Sequence, residues 1–173
     1  MAVYFVKGDL FLTNCNSICH GVNSMGKMGA GIALEIRRRY PGAYNSYVHL
    51  YESGQLSIGN VYPYIDSKVI FNMTTQKYYG RTPGVQYASI ENIEKGFKKL
   101  PKIITKVNES LIGLNREVIN GVAFSRIGCS LGGLQWEDVK PLFQEYLGDT
   151  VPIIVYEEYI SGEDSNDIRY IAQ

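Results

Sequence analysis

Apolar and polar positions alternate along this chain in two periods, one close to two residues and one between three and four. Residues 2–6 (AVYFV) form a short apolar run halted by Lys7, Gly8 and Asp9, the pattern of a buried first strand. Residues 17–22 (SICHGV) predict a second strand. Over 31–40 the period lengthens: Ile32, Ala33 and Ile36 share one side and Arg37, Arg38 and Arg39 follow, so a helix is expected there. Pro41 ends that helix or starts the next, over 43–51, with Gly54 as a stop. Residues 58–65 and 68–74 predict two strands around an Asp66–Ser67 turn, and 78–87 a loop. Ile90, Ile93, Phe97, Leu100, Ile104, Val107 and Leu111 then recur at helical steps, with Pro101 expected to kink or split the helix. A strand over 117–124, a helix over 136–147 and a strand over 151–157 complete the pattern. Strands alternating with helices predict an α/β fold: a mixed sheet with helices on both faces.

Composition narrows this picture. The chain has 173 residues, enough for one domain with a sizeable core. No repeat, low-complexity block or linker divides it, so a single domain over 1–159 with a polar, loosely held tail over 160–173 is expected. Lys plus Arg and Asp plus Glu both number 17, so no overall charge steers the protein toward nucleic acid or an anionic membrane. A locally electropositive pocket remains compatible with that sum. No run approaches the roughly 20 apolar residues of a membrane helix, and the start lacks the form of a signal peptide. Three cysteines, Cys15, Cys19 and Cys129, without an export signal point to reduced thiols and a cytoplasmic setting, and a monomer is expected. No companion cluster suits a metal, and no cofactor is called for. The 14 tyrosines read more simply as strand faces and half-buried surface than as stacking platforms.

Two stretches carry candidate chemistry. Each follows a predicted strand, is rich in glycine and opens a helix: residues 23–29 and residues 126–134. In open α/β sheets ligands sit beyond the carboxyl ends of strands, and helix N-termini with adjacent loop N–H groups cradle anionic oxygens. Two such loops side by side suit a diphosphate, because glycine lets the backbone come close. Taken alone, Gly29-Ala30-Gly31 is more often a tight turn than a phosphate cradle. Neither a P-loop nor a dinucleotide-binding glycine fingerprint is present.

The ordered stretches VKGDLF, ICHGVNSMGKMGAGIALEIRRRYP and FSRIGCSLGGLQWEDVKPLF, followed by IIVYE, resemble the macrodomain superfamily over about residues 3–156. The resemblance is nearest to the branch holding ADP-ribose-1″-phosphate phosphatases and terminal ADP-ribose protein glycohydrolases. It implies a three-layer α/β/α macrodomain with ADP-ribose, or ADP-ribose 1″-phosphate, lying across the strand ends. Asp9 would then accept the adenine amino group with the Leu10 backbone beside it, and Asn23 would bind the distal ribose. Gly29, Ala30, Gly31 and Ile32 would line the first diphosphate loop. Ile127, Gly128, Cys129, Ser130, Leu131 and Gly132, with Gly133, would form the second. Tyr156 is a candidate for packing on adenine, or else a half-buried strand tyrosine.

The glycohydrolase branch uses a lysine after the strand at 68–74 and an aspartate in the second loop; this chain has Gln76 and Gly132 there. Glutamine forms no Schiff base and glycine supplies no acid. Lys77 is one residue on, on the opposite face of a strand. The phosphatase-like branch has a histidine where His20 stands, nine residues before Gly29. Catalysis is therefore assigned to His20 as general acid and Asn23 as ribose anchor, acting on ADP-ribose 1″-phosphate, the alternative for His20 being a histidine that only hydrogen-bonds inside its strand. An ADP-ribosyl hydrolase acting on protein or nucleic acid, and a binding module without catalysis, are the alternatives. Glu35 and His49 are expected to face outward, Arg126 to brace the second loop, and Arg37–Arg39 to form a solvated face.

Overall fold

A computed structural model describes residues 3–164. Its elements are β1 (Val3–Gly8), a single 3₁₀ turn (Leu10–Leu12), β2 (Ser17–Asn23), α1 (Gly31–Arg39), α2 (Pro41–Glu52), β3 (Val61–Ile65), β4 (Val69–Gln76), α3 (Ile90–Gly113), β5 (Val122–Phe124), α4 (Trp136–Leu147) and β6 (Ile153–Tyr159). The six strands form one sheet in the order β1-β6-β5-β2-β4-β3, parallel except for the β3–β4 hairpin.

Strand alternation divides the core into two layers. Cys19, Phe71, Phe124 and Val155 point to the face covered by α3 and α4, where they meet Phe97 and Phe143. Ile18, Ile70, Ala123 and Tyr156 point to the opposite face, against Ile36, Tyr40 and Ala43 of the α1–α2 region. This is the predicted α/β/α sandwich, and it directs the carboxyl ends of β2, β4 and β5 to one edge.

Four boundaries depart from the pattern-based expectation. Helix α3 runs unbroken through Pro101. Ile93, Phe97, Leu100, Ile104, Val107 and Leu111 are buried along its whole length, and that burial outweighs one lost backbone bond. Pro41 starts the second helix, one of its two expected roles, but α2 begins at Pro41 itself rather than at 43, because a fixed φ and a missing N–H do no harm in the first turn. Strand β3 starts at Val61, after a turn at Gly59 in which Thr74 Oγ1 accepts from the Asn60 N–H. Residues 117–121 are not strand: Asn16 and Asn120 exchange side-chain-to-backbone bonds of 2.9 Å in place of the ladder, so β5 is short.

The predicted tail begins as a bound turn. Ile160 N–H donates to Gly8 O at 2.9 Å, and Asp9 N–H donates to Glu163 O at 2.8 Å. Residues 165–173, and Ala2 of the first predicted strand, lie outside the described residues. Among the described residues no helix is long and apolar enough to cross a membrane.

Candidate functional site

A groove of about 770 Å³ opens at the carboxyl ends of β2, β4 and β5. Its walls are the two glycine-rich loops, and a third segment, residues 79–81, closes one side.

The first loop is shaped by Asn23. Its Oδ1 accepts from Met25 N at 3.0 Å and Lys27 N at 3.3 Å, and its Nδ2 donates to Lys27 O at 2.7 Å. Tyr47, on the buried face of α2, donates its hydroxyl to the Asn23 carbonyl at 2.6 Å and to its Oδ1 at 2.8 Å. Asn23 thus lines the groove while its side chain is committed to holding the loop. Downstream, Ala30 caps α1 without any side-chain hydrogen bond, so N–H groups of the first turn remain free toward the groove. Gly31 has φ +59°, a conformation costly to residues with a Cβ. A Cβ added at Gly29 or Gly31 would meet nothing within 4 Å. Packing therefore does not explain glycine at position 29, whereas close approach of a ligand would.

The second loop is held from behind. Gly132 O accepts from Tyr87 N at 2.8 Å and Ala88 N at 3.0 Å, and Leu134 N donates to Gly128 O at 3.0 Å. A Cβ on Gly132 would lie 2.5 Å from Gly128 O and 3.0 Å from Ala88 Cβ. The acid that the resemblance places here has no room in this backbone. Ile127, Gly128, Ser130, Leu131 and Gly132 line the groove; Cys129 does not. Its thiol points to Ile127 O at 3.5 Å, and burial pushes it up to about 11, against a smaller downward pull from Arg126. The Cys129 sulfur is accordingly a neutral thiol at pH 7.

His20 differs from expectation. It touches the groove but is only 1% exposed. Its Nε2 lies 2.6 Å from Asn72 Oδ1, and the Asn72 amide in turn donates to Ala43 O at 3.4 Å. That chain turns the Asn72 carbonyl toward the ring and assigns the hydrogen to Nε2. Burial pushes the imidazole down to about 4, outweighing the upward effect of the Asn72 hydrogen bond. At neutral pH His20 is therefore uncharged, with its one proton fixed on Asn72. The expected proton donor is instead a core imidazole, whose Nδ1 has no hydrogen-bond partner among the described residues.

Gln76 ends β4 beside Asn23 and lines the groove, its Nε2 donating to Tyr78 O at 2.7 Å. Lys77 turns away, with Nζ 5.1 Å from the Tyr78 ring centre, and does not line the groove. The strand register thus keeps glutamine at the lysine position.

Asp9 and Leu10, expected beside adenine, are not among the residues that line the groove. Leu10 is fully buried in the α1–α2 core layer. Both Asp9 oxygens accept backbone N–H groups, from Phe11 and from Gly162, each at 2.9 Å. At that end the groove is bounded by Phe11 and Tyr159, whose rings meet edge-on at 6.3 Å. Tyr156 touches the groove but is 3% exposed within the core, where burial raises its phenol pKa despite a hydrogen bond with Thr13.

Charge in the groove is one-sided. Lys27, Arg81 and Arg126 line it, and none forms an ion pair among the described residues. The acids there are engaged: Glu35 with Arg38 at 3.8 Å and Arg39 at 2.9 Å, Glu157 with Lys140 at 2.6 Å. Glu35 therefore borders the groove rather than facing outward. Among the described residues no group of three or more His, Cys, Asp or Glu side chains could hold a metal. Phe11, Lys27, Tyr79 and Arg81 escaped the sequence reading. Only the proximity of Lys27 to Gly29 hinted at any of them.

The sequence profile described as Macro domain matches residues 19–143. The chain is 31% identical over 160 residues to the DNA ADP-ribosyl glycohydrolase of Thermus aquaticus, covering 88% of this chain and 40% of that protein. This chain thus spans about two fifths of that relative's length. The solved macrodomain of Thermus aquaticus DarG superposes with a TM-score of 0.74 at 31% identity, covering 90% of this chain and 97% of that one. An ADP-ribose 1″-phosphate phosphatase of Meyerozyma guilliermondii is 22% identical over 163 residues, covering 82% of this chain and 92% of that protein. The matched profile, the 31% relative and the shared three-layer architecture agree: this chain belongs to the Macro domain family.

Proposed function

We propose that this domain binds the ADP-ribosyl group in the groove at the strand ends and acts on an ADP-ribosyl linkage to a macromolecule. The observation that carries the reading is the electrostatics of that groove. Three cations that form no ion pair among the described residues, and the N-terminus of α1, capped by Ala30 without a side-chain hydrogen bond, line a groove that a Cβ at Gly29 or Gly31 would leave unobstructed. A diphosphate is the natural occupant of such a site. Asn23 and Gln76, adjacent in the sheet, lie where the distal ribose would rest against the first loop.

The choice of linkage follows the relatives. The DNA ADP-ribosyl glycohydrolase is the nearer at 31% identity and the 1″-phosphatase the more distant at 22%. His20, the residue that favoured the phosphatase, is neutral and tied to Asn72. The glycohydrolase reading therefore replaces the phosphatase as the main one. It also brings forward a nucleic-acid partner, for which the whole-chain charge gave no signal, since a zero charge sum is compatible with a locally electropositive groove. With Gln76 in place of lysine, bond cleavage at the distal ribose would proceed without an enzyme–sugar imine.

The test is an oligonucleotide carrying ADP-ribose on a base, incubated with the protein and resolved by chromatography. Release of ADP-ribose with the oligonucleotide intact, and no adduct trapped by cyanoborohydride, is the expected result. Binding of free ADP-ribose without release from the oligonucleotide or from protein would leave a non-catalytic module. Phosphate release from ADP-ribose 1″-phosphate would restore the phosphatase reading.

A further inference from the structure

The chain carries its own ligand for the carboxylate that the resemblance assigns to adenine. Strand β6 ends at Tyr159, and residues 160–163 fold directly back over the end of β1. The turn closes on itself through Glu163 N–H to Ile160 O at 3.1 Å, and Ile160 N–H pins it to Gly8 O at 2.9 Å. At its tip the Gly162 N–H donates to Asp9 Oδ2 at 2.9 Å, and Asp9 N–H donates to Glu163 O at 2.8 Å. A backbone amide donor here stands where an exocyclic amino group would, and a backbone carbonyl occupies the neighbouring N–H. The pairing reproduces the donor–acceptor edge of a base.

Geometry makes this contact exclusive rather than additional. Two carboxylate oxygens hold about four lone pairs, so capacity alone would admit another donor. Access would not: Asp9 is 6% exposed, and the groove stops at Phe11 and Tyr159, which flank the contact. The turn itself is exposed at every residue from 160 to 163, so it can lift away without disturbing the core.

We propose that the 160–163 turn competes with the adenine end of the ligand for Asp9, so that base recognition requires the turn to undock. This rests on the ADP-ribose reading given above. It predicts that the natural chain binds more weakly than its groove allows, by the fraction of molecules with the turn released.

Gly162→Pro in the full chain removes the donating N–H, and proline's fixed φ near −65° is incompatible with the +79° at this position. Two measurements decide the matter: titration calorimetry with ADP-ribose on both proteins, and hydrogen exchange at the Asp9 amide of both proteins and at the Gly162 amide of the natural chain. The expected outcome is binding at least about tenfold tighter in the variant, the equivalent of one charge-assisted hydrogen bond. ADP-ribose should also speed exchange at the Gly162 amide in the natural chain, whereas the Asp9 amide would pass from Glu163 O to the base. Equal or weaker binding by the variant, with exchange in the natural chain unchanged by bound ADP-ribose, overturns the competition while leaving the ADP-ribose reading intact. No binding by either protein, with faster Asp9 exchange proving the turn undocked in the variant, overturns both.

Discussion

Gly132→Ala tests why this chain lacks an acid in its second loop. The added Cβ would stand 2.5 Å from Gly128 O and 2.9 Å from Gly128 C, both backbone atoms that no rotamer change can move. Relief requires the loop to shift, and the loop is anchored by the Tyr87 and Ala88 N–H bonds to Gly132 O. Overpacking of this kind costs about 1–3 kcal/mol, and loosening the two backbone bonds adds about 0.5–1.5 kcal/mol each. The sum is about 2–6 kcal/mol, a melting temperature lower by about 4–24 °C for a domain of this size. Gly29→Ala is the internal control, because its Cβ meets nothing within 4 Å. Its stability should hold or rise by up to about 1 kcal/mol. Thermal melts and urea unfolding of the three proteins give both numbers. A Gly132→Ala protein as stable as the natural chain would refute the packing argument, and position 132 could then have carried the missing aspartate.

Three further outcomes follow from named contacts. The unfolded chain binds a proton at His20 near 6.5 and the folded chain only near 4. Stability should therefore fall as pH drops through that window, by about 3 kcal/mol in total, and His20→Gln should flatten the dependence in urea titrations from pH 7 to 4. A slope unchanged in the variant would mean that His20 is not the titrating group. Gln76→Lys restores an amine at the end of β4, so cyanoborohydride with ADP-ribose should trap an adduct, detected by mass spectrometry, that the natural chain does not form. Trapping at Lys77 in the natural protein would contradict the observed register.

The architecture was legible because its signals are local. The stripe from Ile90 to Leu111 marks α3, and the glycine loops at 29–31 and 126–134 lie at strand ends as spacing implied. What stayed hidden depends on contacts far apart in sequence. Asp9 is satisfied by Gly162, 153 residues away, which no local pattern encodes. His20 gave a residue type and a position, but its depressed pKa comes from burial, against the upward effect of Asn72 on a neighbouring strand, and neither is encoded locally. Arg81 belongs to an exposed loop without periodicity, so only the fold shows that it joins the groove. The strand expected over 117–121 was lost to the Asn16–Asn120 pair, two polar side chains that replace a ladder.

The central claim is that the groove binds the ADP-ribosyl group through its diphosphate. Titration calorimetry with ADP-ribose on the natural chain and on Gly31→Glu addresses it most directly. Glutamate at this position would carry bulk and negative charge into the open space before α1, where the free N–H groups and cations face the ligand. Heat of binding in the natural chain, lost in the variant while circular dichroism shows the fold retained, is the predicted result. Undiminished affinity in Gly31→Glu, or no heat and no melting shift with millimolar ADP-ribose in the natural chain, would contradict the account.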